Sequence, residues 1–366
     1  MSANDLIGLS KLELDTPALL VDLDTFERNI ARIAETCRQH GVGWRPHIKA
    51  HKSPDIAKLQ LAAGAIGITC AKLGEAEVMA NAGIRDILVA NQIVGPIKIA
   101  RLMHLLGKAN VIVLVDNPQN IAELDQAARE RAALLKVAIE VNVGMNRAGV
   151  ESGKPTLALA GVIAACANLE LVGLMTWEAH AVAIDDPSKK AKAVADALKP
   201  LLATAQACRQ AGHRIDMISC GGTGTFPYCV QQTGVTEVEV GGAIFSDMRY
   251  RTKYHVDFPF ALTMLTTVTS RPTERRIVVD AGKKAMSSDA AMPSPIGLPE
   301  IAEMRFSAEH TTIDLVLPSK APRVADQLEL IVGYSDTTIH LHDTILGMRA
   351  GRVECIWPVA ARGKLQ

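Results

Sequence analysis

The chain has 366 residues, of which 48% are hydrophobic and 21% are charged, and its formal net charge at pH 7 is zero. This composition is typical of a globular protein with one large and one smaller domain, and its neutral charge argues against nucleic acid or an anionic membrane as a partner. No apolar run approaches the roughly 18–20 residues that cross a bilayer, and the start of the chain lacks the basic and apolar regions of a signal peptide. We therefore expect a cytoplasmic protein whose seven scattered cysteines are reduced.

Short β-branched runs alternate with alanine-rich amphipathic segments up to about residue 250. After an apolar run at 17–24, the candidate strands are 42–49, 65–71, 86–91, 110–116, 136–142, 171–177, 217–222 and 237–242. Strands that alternate with helices and are nearly continuously apolar indicate parallel β/α units, and eight strands close a TIM (β/α)8 barrel. Spacing alone leaves an open doubly wound sheet as the alternative, although no GxGxxG motif follows the first strand.

The alternation stops after Tyr250. The later candidate strands follow one another without helices, at 261–270, 275–282, 311–317, 328–334 and 351–359, with a loop at 292–300. This pattern predicts an all-β domain. The sequence therefore indicates an α/β barrel over 1–255, including the N-terminal strand, followed by an all-β domain over 256–366.

The stretch WRPHIKAHK at 44–52 places Lys49 where the first barrel strand runs into a loop. Lysine is seldom placed where a strand is about to be buried, because removing water from an ammonium group is costly. A lysine that is desolvated or flanked by cations loses its proton and becomes a nucleophile toward carbonyls. Arg45, His47, His51 and Lys52 supply the positive surroundings. A solvated basic turn is the alternative for this stretch taken alone.

Two glycine-rich stretches, SCGGTGT at 219–225 and VGG at 240–242, follow the seventh and eighth strands. TIM barrels often bind phosphate at these two loops, because glycine lets backbone N–H groups approach an anion. Tight turns alone would explain one such stretch but explain two poorly. The candidate phosphate-binding residues are Ser219, Gly222, Thr223, Gly224, Gly241 and Gly242.

The fifth strand leads into NVGMNRAG at 142–149, where Arg147 is flanked by glycines. An arginine in this position suits a ligand oxyanion better than a surface loop. A lysine on strand 1, an arginine after strand 5 and phosphate loops after strands 7 and 8 together suggest pyridoxal 5′-phosphate. Lys49 would form the Schiff base, the glycine loops would hold the phosphate, and Arg147 would face the phenolic oxygen.

The stretches RPHIKAHK, GMNRAGV, SCGGTGT, EVGG, SAEH and WPVAARGK resemble the fold-type III family that contains D-threonine aldolase, 3-hydroxy-D-aspartate aldolase and D-serine dehydratase. The resemblance covers nearly the whole chain. It implies an alanine-racemase-like barrel followed by a β-domain, in a homodimer in which one β-domain completes the partner's site. By position, Lys49 matches the Schiff-base lysine and Arg147 the arginine near the phenolic oxygen. The positions that match the phosphate loops are Gly222, Thr223, Gly224 and Gly241.

The chain departs from this family at two places. Members usually hold a divalent metal with a histidine followed two residues later by an aspartate or a cysteine, but Tyr334 stands at the histidine position while Asp336 keeps the acid. A phenol with a pKa of about 10 is a poor ligand for Mg²⁺ or Mn²⁺. We therefore expect weak metal dependence or none, with Tyr334 as hydrogen-bond donor or acid/base; the alternative is that His310 restores the site. The second departure is Trp177, where a tyrosine usually lies near the cofactor.

The resemblance leaves four functions open. An aldolase cleaves Cα–Cβ and gives glycine and an aldehyde, whereas a dehydratase expels the β-hydroxyl with help from a Lewis acid. A racemase would use Lys49 and a partner tyrosine on opposite faces, and a non-catalytic pyridoxal-phosphate carrier would not need the β-domain. We expect an aldolase for D-3-hydroxy amino acids of D-threonine type, with Lys49, Tyr334 and His51 as catalytic candidates and Asp336 as the one metal candidate.

Overall fold

The computed structural model describes residues 3–366, and of the side chains those from Asp5 onward. The strands are, in chain order, β1 Ala18–Asp22, β2 Gly43–Trp44, β3 Ile68–Cys70, β4 Asp86–Gln92, β5 Asn110–Val115, β6 Leu135–Asn142, β7 Val150–Glu151, β8 Leu169–Met175, β9 Met217–Cys220, β10 Glu237–Val238, β11 Leu262–Thr273, β12 Arg276–Val279, β13 Ser294–Pro295, β14 Ile301–Phe306, β15 Thr311–Leu315, β16 Gln327–Ile331, β17 Thr344–Arg349 and β18 Arg352–Pro358.

The α-helices are α1 Leu23–Gln39, α2 Pro54–Ala62, α3 Leu73–Asn81, α4 Pro96–Leu105, α5 Pro118–Glu130, α6 Lys154–Ala164, α7 Pro187–Gln210, α8 Phe226–Cys229, α9 Met248–Lys253 and α10 Ser335–Thr338. Short 3₁₀ helices lie at Ala3–Leu6, Lys11–Glu13, Ile48–Ala50, Ala179–Ala181, Gly242–Ile244 and Ile339–Leu341. Helix starts follow local chemistry: Asn117 caps α5 by accepting from two backbone amides, and Pro118 occupies its first turn. No helix in the described part of the chain is long and apolar enough to cross a membrane.

The chain forms two compact units. One, the barrel unit, consists of Ala31–Lys49, Ile56–Gly241 and Gly363–Gln366. The other, the β-unit, consists of the residues up to Ile30 together with Ala50–Asp55 and Gly242–Arg362. The domain boundary expected between residues 255 and 256 stays a prediction.

The barrel unit contains a parallel sheet with the strand order β2-β10-β9-β8-β6-β5-β4-β3, and β7 pairs with β6. An isolated parallel bridge joins His47 to Thr69 of β3, so the two ends of this order meet. The eight strands are the eight that the sequence predicts, and the barrel of alanine-racemase type is confirmed, which removes the open doubly wound sheet. Its interior is apolar and includes Leu88, Ile112, Leu114, Ala138, Met175 and Met217.

The first barrel strand is shorter than expected. The sequence predicts a strand over 42–49, whereas only Gly43–Trp44 is regular and Lys49 lies in the 3₁₀ turn Ile48–Ala50. Pro46 explains the difference, because proline has no N–H to donate to the neighbouring strand. The chain nevertheless stays beside its neighbours, since the amides of Arg45 and His47 donate to Val238 and Glu239.

The β-unit contains a sheet with the order β14-β15-β12-β11-β1-β17-β18, and β16 pairs with β11 and β13. The sequence groups the N-terminal strand with the barrel, but β1 pairs antiparallel with β11 and parallel with β17. Strands β14 and β17 were not expected, and β13 lies inside the predicted loop 292–300. The core of this unit is aromatic and aliphatic, with Phe26 lying 5.7 Å from Phe245 and 5.3 Å from Trp357 between ring centroids.

Candidate active site

Lys49 lies in the turn that follows β2 and is half-buried, while its neighbours Ile48 and Ala50 are buried. Its Nζ stands 5.2 Å from the ring centroid of Trp177, the second residue after β8. A cation at this distance from an indole is electrostatically attracted to the ring. The turn also requires Gly241, because a Cβ there would lie 2.2 Å from the carbonyl oxygen of His47.

Arg147 lies against the same indole ring. Its guanidinium carbon is 5.3 Å from the Trp177 centroid, and its Nη2 is 3.6 Å from a carboxylate oxygen of Glu140. Lys49 and Arg147, the two cationic side chains that the sequence predicts for the site, therefore lie against the same indole ring. Glu140 is buried, whereas Arg147 is half-exposed. The ion pair therefore holds the arginine through Nη2 and leaves part of its side chain exposed to solvent.

The loop that carries Arg147 is held by side-chain caps. The Oδ1 atom of Asn142 accepts hydrogen bonds from the amides of Gly144 and Asn146, each at 3.1 Å. The amide of Gly149 donates to Asp116 at 3.0 Å. Gly149 has a φ of +95°, and a Cβ there would lie 2.9 Å from the Glu140 carbonyl oxygen, so this position requires glycine.

Three polar side chains that the sequence analysis missed support this loop. Gln92 is the last residue of β4, Asp116 directly follows β5, and Glu140 lies two residues before the end of β6. The Nε2 of Gln92 donates to Asp116 at 3.1 Å and to Glu140 at 2.5 Å. The signal that could have found them is their position, because the C-terminal ends of barrel strands carry the site in this fold.

The first glycine-rich loop presents unpaired backbone donors. The Gly222 carbonyl accepts from the amides of Thr225 and Phe226, which closes the loop. Among the described residues, no acceptor pairs with the amides of Thr223 and Gly224 in this loop, or with the amide of Gly241 in the second glycine-rich loop. These amides are therefore available to an anion.

Glu178 lies fully buried behind this loop. It accepts hydrogen bonds from the Thr225 hydroxyl, from the Gly221 amide at 3.4 Å and from the Cys229 thiol at 3.4 Å. Glu178, Cys220 and Cys229 lie close enough to hold a metal ion. Burial raises the pKa of Cys229 well above its usual value. In Cys220 the hydrogen bond from Cys229 lowers the pKa, but burial and the nearby carboxylates together raise it above its usual value. Since metals bind thiolates, this trio is better described as a hydrogen-bonded support for the loop.

Ser219 does not direct its hydroxyl at the unpaired amides. The Ser219 Oγ donates to Oε1 of Glu239 at 2.9 Å, and both residues are buried. Burial is the largest influence on Glu239 and raises its pKa to about 8, and the nearby Glu237 adds to this effect. The alternating segment EVEV gave no signal for Glu239 in the sequence.

Tyr334 and Asp336 meet in the β-unit. The Tyr334 hydroxyl donates to Oδ2 of Asp336 at 2.9 Å, and the Tyr250 hydroxyl lies 3.5 Å from Oδ1. Tyr250 also packs edge-on against the Tyr334 ring at 5.8 Å, and the Arg249 guanidinium lies 4.5 Å from its centroid. Burial, reinforced by Asp336, raises the pKa of Tyr334, so the phenol stays protonated.

Asp247 organises the backbone around this pair. It accepts from the amide and hydroxyl of Ser335 and from the Tyr250 amide, each at 2.8 Å. Burial raises its pKa to about 7. Position 242 next to Tyr250 requires glycine, because a Cβ there would lie 2.2 Å from the Tyr250 hydroxyl oxygen.

The histidines considered in the sequence lie in ordinary structural settings. His51 is buried and its Nδ1 accepts from the Ser53 amide at 3.1 Å. The Nε2 of His342 lies 2.7 Å from the Ala285 carbonyl oxygen, and burial lowers its pKa. His310 is exposed. The catalytic role expected for His51 stays a prediction.

The chain matches two family models, the alanine racemase N-terminal domain over residues 21–248 and the putative serine dehydratase domain over residues 261–348. It is 36% identical to 3-hydroxy-D-aspartate aldolase of Paracoccus denitrificans (strain Pd 1222), covering 98% of this chain and 94% of that protein. It is 35% identical to D-threonine aldolase of an Arthrobacter species, covering 96% and 93%.

Comparison with solved structures leads to the same family as comparison of sequences. The crystal structure of D-threonine aldolase from Filomicrobium marinum is 34% identical and superposes with a TM-score of 0.95, covering 98% of this chain and 99% of that one. Dehydratases are among the more distant relatives. The chain belongs to the fold-type III family that contains D-threonine aldolase and 3-hydroxy-D-aspartate aldolase, in which an alanine racemase N-terminal domain precedes a putative serine dehydratase domain.

Proposed function

We propose that this protein is a pyridoxal-phosphate-dependent lyase that cleaves D-3-hydroxy amino acids of D-threonine type into glycine and an aldehyde. The observation that carries the proposal is the placement of Lys49 and Arg147 against the Trp177 ring, in a barrel whose glycine loops present unpaired amides. The relatives at 34–36% identity over nearly their whole length are aldolases.

The residues of the barrel unit fit pyridoxal phosphate. Lys49 offers an amine for the aldehyde, and Trp177 offers a flat surface for the ring. The unpaired amides of Thr223, Gly224 and Gly241 suit the phosphate. Gly222 lies close to Trp177, because a Cβ there would lie 3.2 Å from the indole nitrogen. When bound, the cofactor supplies an electron sink for the bond that breaks at Cα.

The chain's own residues then have to move protons. Cleavage of Cα–Cβ takes a proton from the β-hydroxyl and returns one to Cα, so that glycine and the aldehyde balance the substrate. We assign the return of the proton to Cα to the amine of Lys49. Within the β-unit, Tyr334 orients the Asp336 carboxylate through the hydrogen bond to Oδ2.

The residues do not fit the divalent-metal pair that the resemblance implies. Tyr334 offers a protonated phenol, and both oxygens of Asp336 lie within reach of a phenol donor. Hard cations such as Mg²⁺ and Mn²⁺ are held by charged and carbonyl oxygens or by imidazole. No step of the proposed reaction is therefore assigned to a metal.

Product analysis tests the proposed reaction. The purified protein, loaded with pyridoxal phosphate, is incubated with D-threonine, D-3-hydroxyaspartate and D-serine, and the products are separated on a chiral column. We expect glycine and an aldehyde from the first two. A keto acid with ammonia would identify a dehydratase, the L-isomer a racemase, and unchanged substrates a carrier; each of these results would overturn the aldolase proposal.

We also propose that the protein works as a cytoplasmic homodimer. The support is the family resemblance, which implies a site completed by the partner's β-domain. Sedimentation at micromolar concentration is expected to give a dimer. A fully active monomer would contradict this.

A further inference from the structure

Arg249 carries a positive charge that no carboxylate balances by direct contact. It is the second residue of α9, and its side chain is half-buried. Among the residues that the structure describes, its guanidinium contacts tyrosines and forms no ion pair with an acid. Removing water from a charged group is costly unless a partner replaces the water. A half-buried arginine without a carboxylate partner is therefore able to bind an external anion.

Two aromatic rings hold the guanidinium of Arg249. Its central carbon lies 5.2 Å from the ring centroid of Tyr254 and 4.5 Å from that of Tyr334. Both distances fall within the about 6 Å over which the face of an aromatic ring attracts a cation. Tyr254 also forms a hydrogen bond with the guanidinium. Because arginine carries several N–H donors in a planar fork, this one bond leaves other donors for an acceptor in the same plane.

The backbone fixes the place from which the arginine side chain extends. The amides of Met248 and Arg249 donate to the carbonyls of Val332 at 3.1 Å and Gly333 at 2.9 Å, directly before Tyr334. These two hydrogen bonds join the start of α9 to the segment that carries one of the two rings. A group that is already ordered loses less conformational freedom when it binds a ligand, so this arrangement favours binding.

The charges around Arg249 favour a carboxylate over a phosphate. Arg251, the next arginine of α9, lies 3.6 Å from Asp257 and is therefore engaged already. Asp336 accepts a hydrogen bond from the Tyr334 hydroxyl at 2.9 Å and adds a negative charge to the surroundings. A doubly charged phosphate would be repelled more strongly by this charge than a singly charged carboxylate. The two oxygens of a carboxylate also match the planar fork of a guanidinium.

We propose that Arg249 binds the carboxylate group of a small organic acid and that Tyr254 and Tyr334 are the positioning residues that hold its guanidinium. The site lies within the β-unit. It goes beyond the proposed function, because it requires neither pyridoxal phosphate nor cleavage of a substrate. Tyr334 stands at the position where the resemblance implies a metal-binding histidine, so in this chain the cation beside that position is an arginine of the protein itself.

Chemical labelling of arginine measures the occupancy of this site directly. The cofactor-loaded protein is treated with phenylglyoxal, which modifies accessible guanidinium groups, and the labelling rate of each arginine is followed by tandem mass spectrometry. Malonate, a small carboxylate that has no amine to react with the cofactor, is the probe. At a malonate concentration about ten times the dissociation constant, we expect the labelling of Arg249 to slow about tenfold, because only the unoccupied fraction reacts.

Controls separate this site from a general effect of anions. Arg251 is the internal control: its guanidinium contacts Asp257 and donates to the Phe258 carbonyl at 2.9 Å, and malonate should not protect it. Uncharged malonamide should protect neither arginine, and inorganic phosphate should protect Arg249 less than malonate does. Lys253→Gln removes an exposed positive charge from the same helix and should leave the protection of Arg249 unchanged.

Substitution of Tyr254 tests the positioning role. Tyr254→Leu removes one of the two rings and should raise the malonate concentration for half-protection about threefold or more. Tyr254→Phe keeps the ring and should restore most of the protection. A second measurement serves if Tyr254→Leu does not fold: malonate should raise the melting temperature of the unaltered protein more than that of Arg249→Gln.

Several results would overturn the inference. They are equal labelling rates of Arg249 with and without malonate, equal protection of Arg249 and Arg251, and equal rises in melting temperature in the unaltered protein and Arg249→Gln. Stronger protection by phosphate than by malonate would reject a carboxylate as the ligand. The test is separate from that of the reaction: a protein that leaves D-amino acids unchanged while malonate protects Arg249 would refute the proposed function and support this site.

Discussion

Replacing Tyr334 by histidine gives this chain the histidine–x–aspartate pattern and is expected to create a divalent-metal site. In the protein as it stands, the Tyr334 phenol occupies Oδ2 of Asp336 at 2.9 Å, and the Arg249 guanidinium lies 4.5 Å from the phenol ring. A metal ion has to displace the phenol before it can bind that oxygen. The substitution removes this competitor and adds an imidazole, two residues away from the carboxylate.

The structure sets the size of the effect. A hydrogen bond to a charged group is worth about 1.5–3 kcal/mol, and each 1.4 kcal/mol is about a factor of ten in affinity. Displacing Tyr334 therefore weakens Mn²⁺ binding at Asp336 by roughly 10- to 100-fold compared with a free carboxylate. Tyr334→Phe, which removes only the hydroxyl, should recover that part, and Tyr334→His should exceed it because imidazole adds a ligand.

Isothermal titration with Mn²⁺ on EDTA-treated protein measures these affinities without reference to activity. We expect the order Tyr334→His, then Tyr334→Phe, then the unaltered protein, from tightest to weakest. The unaltered protein should also keep its activity in EDTA. Complete loss of activity in EDTA, restored by Mn²⁺ or Mg²⁺, would refute the reasoning, as would equal Mn²⁺ affinity in all three proteins.

Three further predictions concern the barrel unit. Borohydride reduction followed by peptide mapping should find the cofactor on Lys49, and a label on Lys52 or Lys72 would contradict the assignment. Gly241→Ala should destabilise the fold by about 1–3 kcal/mol and weaken cofactor retention, because the added Cβ would lie 2.2 Å from the His47 carbonyl; an unchanged melting temperature would argue against this close approach. Glu239 has a pKa raised from 4.5 to about 8 in the folded apoenzyme, so its protonated form favours the fold, and this stability is present below about pH 4.5 and lost as the pH rises through about 8. Urea unfolding across this range should show the decline in the unaltered apoenzyme and a flatter profile in Glu239→Gln; parallel profiles would exclude the shift.

The sequence predicts the barrel and its main functional groups because their signals are local. Apolar runs that alternate with amphipathic helices identify the eight parallel strands, and the lysine and arginine stand at strand ends with glycines beside them. Lys49 and Arg147 do lie against one ring, that of Trp177.

The remaining features depend on partners that are distant in sequence. Gln92 becomes meaningful only when β4, β5 and β6 lie side by side and its amide reaches Asp116 and Glu140. Glu239 is one of two acids in an alternating strand, and only the fold shows that Glu237 has Arg45 while Glu239 has a serine. The pairing of β1 with the second sheet has no local signal, since an apolar strand fits either sheet.

The position of β1 has a consequence for synthesis on the ribosome. Its partners are residues 262–265 of β11 and 346–348 of β17, so the second strand partner is made only near the end of translation. At about 5–20 residues per second, β1 waits on the order of ten seconds to a minute before either edge is paired. During that time Leu19, Leu20 and Val21, all buried in the folded chain, are exposed as an apolar strand that could associate with other chains. We therefore expect chaperones to protect the beginning of the nascent chain, and slow translation of the C-terminal third to lengthen the period in which β1 is exposed.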